Sequence, residues 1–482
     1  MMKKVLYFLF IGALTLPVLQ YFFSFAPESK LQGTFEVKEK PEFNWSNWFD
    51  GKFQNDFDGF LDQEIGFRSF FIKNYNQVHY SLFDKTNAEK VVIGKDGVLF
   101  EDSYINSYLG LNLKKEAEIK EKLRKTAFVA NALDQQGKKL VLLLAPDKTS
   151  YYPDKIPEKW HKIHQNTERE NNYDRYSSLF ADYEIDVLDF NKAFLEAKDT
   201  AQVALFPKAG IHWSNHASVK VIDSLQKYFM DRYDIALPKL IIRETGLTDV
   251  PINPDYDLGN LLNIYSKEAG LTRTCSVSVD IHNAAALDLL TIGDSFYWNL
   301  YHQGLIKDLF VKHEFWYYNH LVYPASFQKE EKVADLSIKD KLKEVDVVMI
   351  LITSGALDNY AFGFIDQAYQ ELTLNKSYFK IVDHLKNKIR RDANWLSNVK
   401  QKAKEKGISL EAMLEEDAKY LMKELSQDEM FQLRSAIYKQ EIRADAAWLE
   451  VIKDKAKEQG ITLDQAIEMD VKYLIKKEDG QL

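Results

Sequence analysis

Ser295, in the stretch LDLLTIGDSFYWN (287–299), and His212, in LFPKAGIHWSNHAS, are the residues best fitted to do chemistry together. A serine hydroxyl becomes a nucleophile only when a base takes its proton as it attacks, and ten histidines are available to supply that base. His212 stands out because HWS opens a predicted helix through Ala217 and Val219. Gly293-Asp294-Ser295 is weak as a motif, since an ordinary turn serine fits the same three letters. His216 lies four residues beyond His212, a spacing that suits two metal ligands on one helical face, yet no third ligand stands at recognisable spacing. No metal and no cofactor are predicted.

Such residues need elements to position them. From about residue 115 helical patterns alternate with apolar runs: KKEAEIKEKLRKTAFVANALDQQG stops at Gly137, and KKLVLLLAP follows. The other buried-strand candidates are IDVLDF (185–190), LDLLTIGDSF (287–296) and VDVVMILITS (345–354). Apolar runs with helices between them predict an α/β fold, a parallel sheet covered on both faces. Ligands in such sheets bind beyond the carboxyl ends of the strands, and Asp147, Asp189, Asp294, Ser295 and Ser354 all fall at or just past those ends.

Outside this region the chain changes character. Residues 27–45 are polar, contain Pro27 and Pro41, and read as a linker. The aromatic-rich stretch NWFDGKFQNDFDGFLDQEIGFRSFFIKNYNQVHYSLFDK predicts amphipathic helices, and KVVIGKDGVLF predicts a hairpin around Lys95-Asp96-Gly97. Beyond about residue 375 the sequence repeats itself. IRRDANWLSNVKQKAKEKGISLEAMLEEDAKYLMK from Ile389 returns as IRADAAWLEVIKDKAKEQGITLDQAIEMDVKYLIK from Ile442. Each copy predicts a helix, a glycine stop (Gly407, Gly460) and a second helix, with Ser409 and Thr462 at N-caps and Trp395 and Trp448 as anchors. The expected division is 1–26 anchor or signal peptide, 27–45 linker, 46–375 catalytic-type domain and 376–482 helical module.

The formal charge of −9 leaves no basic surplus to neutralise phosphates and argues against nucleic acid as a partner. A single cysteine, Cys275, excludes an intrachain disulfide. Lys3 and Lys4 precede an apolar run from Val5 to Phe23, long enough to cross a hydrocarbon core, which predicts a cytoplasmic N-terminus and an exported remainder. An inner-membrane anchor at residues 5–23 is the expected reading. A signal peptide cleaved near Ser24-Phe25-Ala26 is its rival.

VVIGKDGVLF, APDKTSYYPDKIP (145–157), HWS and TIGDSF, in that order, resemble the alginate O-acetyltransferase family of AlgJ- and AlgX-like proteins. GKFQNDFDGFLDQEIGFRSFFIKNYN is similar to that family's N-terminal segment. The resemblance covers about residues 45 to 360 and leaves the repeats outside it. It implies an SGNH-hydrolase-like domain in which Ser295 is the acyl nucleophile and His212, in the place of the histidine of an Asp-x-His-Trp motif, its base. The sequence departs from the family at Gly210, where the aspartate that orients the histidine is expected. Asp189, at the end of a predicted core strand, is the substitute acid expected here, against an ordinary role capping the next helix. The Ser295 N–H and the Asn319 side chain are candidate oxyanion donors, with Asp294 in support.

The expected function is O-acetyl transfer to an exported or cell-surface polysaccharide on the periplasmic side, through an acetyl-serine. The resemblance further implies a multi-pass membrane acyltransferase as acetyl supplier. Trp213, Trp298, Trp316, Tyr317 and Tyr318 flank the motifs as a carbohydrate-facing surface or as core. Two other readings stand: a carbohydrate acetyl esterase with the same residues, and a non-catalytic glycan-binding or scaffold protein, which would explain Gly210.

Overall fold

The computed structural model describes residues 2–33, 36–162, 170–250, 252, 254–265, 270–280, 284–406 and 410–478. Helix α1 (Met2–Phe23) is long and apolar enough to cross a membrane. The segment after it does not hang free. Gln20 and Ala26 exchange two hydrogen bonds (2.6 and 3.0 Å), and the Gln32 backbone exchanges two with the Asn263 side chain (2.8 and 2.9 Å). Then come α2 (Trp45–Phe49), α3 (Lys52–Glu64) and α4 (Arg68–Phe83), and the hairpin of β1 (Val91–Ile93) and β2 (Leu99–Glu101). Its turn at Lys95–Gly97 needs left-handed backbone at Asp96 and Gly97, which is why a glycine closes it.

After α5 (Asp102–Tyr108) and α6 (Glu116–Asp134), β3 (Lys139–Ala145) starts the central sheet. Helices α7 (Lys148–Tyr151), α8 (Glu158–Lys162) and α9 (Asn172–Leu179) lead to β4 (Val187–Asp189), and α10 (Phe190–Ala197) and α11 (Asn215–Tyr233) follow. A long hairpin, β5 (Lys239–Thr248) and β6 (Thr272–Asp280), stands apart from the sheet and encloses α12 (Asp257–Leu261). The chain then supplies β7 (Asp288–Gly293), α13 (Tyr297–His302), β8 (Lys312–Tyr317), β9 (Leu321–Tyr323), α14 (Ile338–Glu344) and β10 (Val347–Thr353).

The six-stranded sheet has the order β4-β3-β10-β7-β8-β9, parallel throughout except for β9 against β8. All four predicted apolar runs are in it. β10 is buried along its whole length because both of its faces are covered. Side chains alternate between those faces. Val141, Leu143, Met349 and Leu351 meet α10 and α11 through Phe194, Ile222 and Phe229. Leu142, Leu144, Ile350 and Ile352 meet α6 through Ile119, Leu123 and Leu133.

Helix α15 (Phe364–Arg391) begins in the sheet's second core, at Phe364, Ile365 and Ala368, and runs on unbroken into the C-terminal helices. The expected boundary at 375/376 therefore falls inside one helix. α16 (Ala393–Lys406) and α17 (Leu410–Glu424) form the first repeat, α19 (Ala446–Gln459) and α20 (Leu463–Glu478) the second, with α18 (Gln427–Ala444) between. Gly460 takes the left-handed C-cap, and Thr462 and Gln465 exchange capping bonds of 2.9 and 3.2 Å. Gly407 and Ser409 lie outside the described residues.

The two tryptophans have different surroundings. Trp395 is half-buried within its repeat, whereas Trp448 is buried beneath the Arg124 guanidinium of α6, 4.1 Å from its ring. Arg124 also bonds Glu121 and Tyr369, and Lys120 meets Asp454 at 2.7 Å. Trp448→Ala is expected to cost about 3 kcal/mol, as truncation of a buried tryptophan does. Trp395→Ala should cost clearly less. Urea unfolding followed by circular dichroism checks the ordering.

Candidate active site

β7 delivers Gly293 to the carboxyl end of the sheet, and the chain turns at Asp294-Ser295 into α13. Asp294 is fully buried and builds this turn. Its carboxylate accepts from Phe296 N (3.0 Å), Thr353 N (2.7 Å) and Thr353 Oγ1 (2.6 Å), tying the turn to the end of β10. Burial pushes its pKa up, and those three bonds act against the shift. Ser295, half-buried, is left facing outward.

His212 comes from the loop before α11, whose N-cap is Ser214. Its Nε2 lies 2.8 Å from Ser295 Oγ, and its ring packs on Phe296 with centroids 4.9 Å apart. Its Nδ1 lies 2.5 Å from Oδ2 of Asp257, the first residue of α12. A carboxylate at Nδ1 fixes the tautomer with the proton on that nitrogen, leaving Nε2 free to accept from the serine. The other oxygen, Oδ1, accepts the backbone N–H groups of Ile211 (2.8 Å) and Leu258 (2.7 Å). One carboxylate thus holds both the imidazole and the main chain that carries it.

Asp189, expected as the orienting acid, is not at the histidine. Its carboxylate caps α10 through Lys192 N (3.0 Å) and accepts the Tyr173 hydroxyl (2.7 Å). Strand order explains the correction. β4 is separated from β7 by β3 and β10, and three strand spacings amount to about 14 Å. Asp147 is likewise structural, accepting from Ser150 N (2.8 Å) and from Ser354 Oγ (2.8 Å).

Gly210 cannot be replaced by the family's aspartate in this backbone. A Cβ there would lie 2.8 Å from Pro207 Cγ and 2.9 Å from the carbonyl oxygens of Pro254 and Asp255. The 254–257 segment occupies that space and brings the acid in from the other side. Gly259 N–H donates to Ala209 O (2.8 Å), so the two segments are laced together.

Lys148, from the APDK stretch, completes the lacing. It is fully buried, and its Nζ donates to Lys208 O (2.8 Å) and Gly210 O (2.7 Å). Burial lowers its pKa to about 7, with Asp257 acting the other way. The unfolded chain then binds the extra proton between about pH 7 and 10, so this group's contribution to stability rises across that window. Lys148→Met is expected to flatten the rise, as read by urea unfolding at several pH values. Asp255, which accepts Asn215 N–H (2.9 Å) and Thr272 Oγ1–H (2.8 Å), is pushed up to about 6 by burial.

Asn319, expected as an oxyanion donor, is committed elsewhere. Its Nδ2 donates to Phe362 O (3.2 Å) and Gln367 Oε1 (2.9 Å), because left-handed backbone at Tyr318 and Asn319 turns it towards α15. The same turn brings in Tyr318. Its N–H bonds Gly293 O (2.8 Å), and burial pushes its phenol pKa up while the Ser295 side chain and N–H act against that shift, which places the phenol near the serine. Of the other flanking aromatics, Trp213 and Trp316 are core, while Trp298 and Tyr317 are half-buried. His216 lines a separate cavity with Lys220 and Arg273.

Serine, imidazole and carboxylate thus stand in a hydrogen-bonded line, with a phenol and an N–H beside the serine. That arrangement suits acyl transfer through a covalent serine ester.

Parts of the chain are similar to known proteins. Residues 91–237 match the family described as "SGNH hydrolase-like domain, acetyltransferase AlgX". The "Probable alginate O-acetylase AlgJ" of Pseudomonas aeruginosa is 27% identical over 208 residues, 42% of this chain and 45% of its own length. The chain therefore spans about half the length of the curated relative it matches. Among solved structures, the O-acetyltransferase domain of Pseudomonas putida AlgJ is similar over 58% of this chain and 98% of its own, at 16% identity and a TM-score of 0.39. AlgX of Pseudomonas aeruginosa is similar over 57% and 67%, at 13% identity and 0.38. Bacillus cereus PatB1 with a sulfonyl adduct is similar over 57% and 98%, at 10% identity and 0.39.

Proposed function

We infer, from a chain whose residues 91–237 carry an AlgJ/AlgX-like SGNH-hydrolase-like domain, that it transfers acetyl groups to hydroxyls of an exported polysaccharide. The observation that carries the reading is the line Asp257–His212–Ser295, with bonds of 2.5 and 2.8 Å. Nε2 of His212 takes the Ser295 proton as Oγ adds to the acetyl carbonyl, and the carboxylate of Asp257 faces the imidazolium that forms. The Ser295 N–H and the Tyr318 hydroxyl receive the oxyanion. Collapse expels the donor's leaving group, which takes the proton from His212, and leaves acetyl-Ser295. A sugar hydroxyl then repeats the addition with His212 as base, forming the sugar ester and regenerating the serine.

The non-catalytic reading rested on Gly210, and Asp257 supplies the carboxylate that Gly210 lacks. Helix α1 serves as an inner-membrane anchor, with the site on the periplasmic side. A multi-pass membrane acyltransferase as acetyl supplier is the partner that the family resemblance implies.

The test is covalent. p-Nitrophenyl acetate should acetylate the wild-type protein on the peptide carrying Ser295, and added oligosaccharide should discharge that ester to sugar. An adduct confined to another residue would overturn the mechanism; discharge to free acetate alone, with sugar present, would make the protein an esterase. Tyr318→Phe is expected to lower turnover about 10²-fold with little change in KM, as loss of one oxyanion donor does.

A further inference from the structure

Residues 43–83 carry two groups of exposed aromatic and apolar side chains, one at α2 and one on α4, that neither the sheet nor the site uses. Phe43, Trp45, Trp48 and Phe49 are exposed by 52, 67, 41 and 79%. On α4, Phe71, Tyr75, Val78 and Leu82 recur at the spacing of one helical face and are exposed by 50, 57, 49 and 71%. The opposite side of α4 is fixed to the domain, through Asn76 Nδ2 to Leu262 O (2.9 Å) and through Tyr80 against the core of Val91 and Leu99. Exposed apolar side chains grouped in this way on a folded protein point to a partner or a membrane.

Its position selects the membrane. The end of α1 is packed into the α3–α4 junction. Gln20 is buried, and Gly66 sits so close that a Cβ there would lie 2.4 Å from Pro17 O. Glu28 accepts Phe67 N–H (2.7 Å), and Phe25 stacks edge-on against Phe67 at 5.8 Å. A helix that leaves the bilayer at Phe23 therefore places the start of α4 at the bilayer surface. A cleaved leader would leave this junction without the residues that fill it.

We propose that the aromatic face of α2 and α4 lies in the headgroup region of the bilayer that α1 crosses, with lipid as its occupant. This rests on the reading of α1 as an anchor. Tryptophan, tyrosine and phenylalanine suit that depth, being apolar in body and, for the first two, polar at one atom. Between residues 45 and 85 the acids Asp50, Asp56, Asp58, Asp62, Glu64 and Asp84 outnumber Lys52, Arg68, Lys73 and Lys85. Apolar burial and not attraction to anionic lipid must then hold the face down.

The sequence makes the test direct, because α1 contains no tryptophan. The full chain is reconstituted in phosphatidylcholine vesicles whose acyl chains are brominated close to the headgroup. Part of the tryptophan emission should be quenched, insensitively to salt, and the quenched part should be lost in Trp45→Leu/Trp48→Leu. Unquenched Trp45 and Trp48 in a chain that resists alkaline carbonate extraction would overturn the proposal, and their protection from aqueous iodide in that state would assign the face to a protein. Release of the chain by carbonate would overturn the anchor reading, and the proposal with it.

Discussion

Asp257→Asn is expected to lower acetyl transfer about 10⁴-fold, the loss seen when the carboxylate behind a catalytic histidine is made neutral. The amide keeps the shape of the side chain but offers Nδ1 the wrong partner, so the tautomer with Nε2 free to accept is no longer favoured. The fall should be in kcat, with KM and the thermal transition little changed, because Oδ1 can still accept the Ile211 and Leu258 N–H groups. Asp189→Asn is the contrasting variant. Its turnover should match wild type, with at most about 1 kcal/mol lost from a weakened helix cap. Steady-state kinetics of both, beside melting curves, decide the assignment. Wild-type turnover in Asp257→Asn, or a collapse in Asp189→Asn, would reverse it.

Gly210→Asp is expected to damage the site, although it restores the family's residue. The new Cβ meets backbone oxygens of Pro254 and Asp255, which can move only by shifting the segment that carries Asp257. Displacing His212 by about 1 Å from its partners costs on the order of 10²-fold. Losing the Asp257 bond as well should bring the total close to that of Asp257→Asn. Gly210→Ala should show most of the same loss, since the obstruction begins at Cβ. Activity at or above wild type in Gly210→Asp would mean that the 254–257 segment yields easily and that Asp257 is dispensable.

The sequence displayed the sheet and half of the site, for reasons that separate cleanly. β3, β7 and β10 are covered on both faces, so they read as uninterrupted apolar runs. β5 and β6 pair with each other outside the sheet, and with Arg243, Thr274, Ser276 and Ser278 among their residues they gave no such run. Ser295 and His212 were visible because each follows or opens a regular element. Asp257 was not. It sits in PDYDLGN, a stretch without periodicity, and reaches His212 only because the chain folds back between β5 and β6. A strand end points to Asp189, but chain order does not reveal strand order, and that order sets the two apart. Asn319 failed for a local reason: left-handed backbone at two successive non-glycine residues is hard to foresee, and it swings the amide away and the phenol in.

The paired bonds between Gln32 and Asn263 bear on reach. A free linker of the length of residues 27–45 would let the domain wander over about 20–25 Å, sampling many heights and orientations above its point of attachment. Fastening Gln32 beside the end of α12, the helix that begins with Asp257, removes most of that freedom. The serine then sits at one height and faces one way. Donor and acceptor sites at matching positions are met at high effective concentration, and sites a little out of register are hardly met at all. On the proposed function, selectivity would then rest partly on where the chain holds its serine, and a polymer strand would be acetylated only as it passes that fixed point.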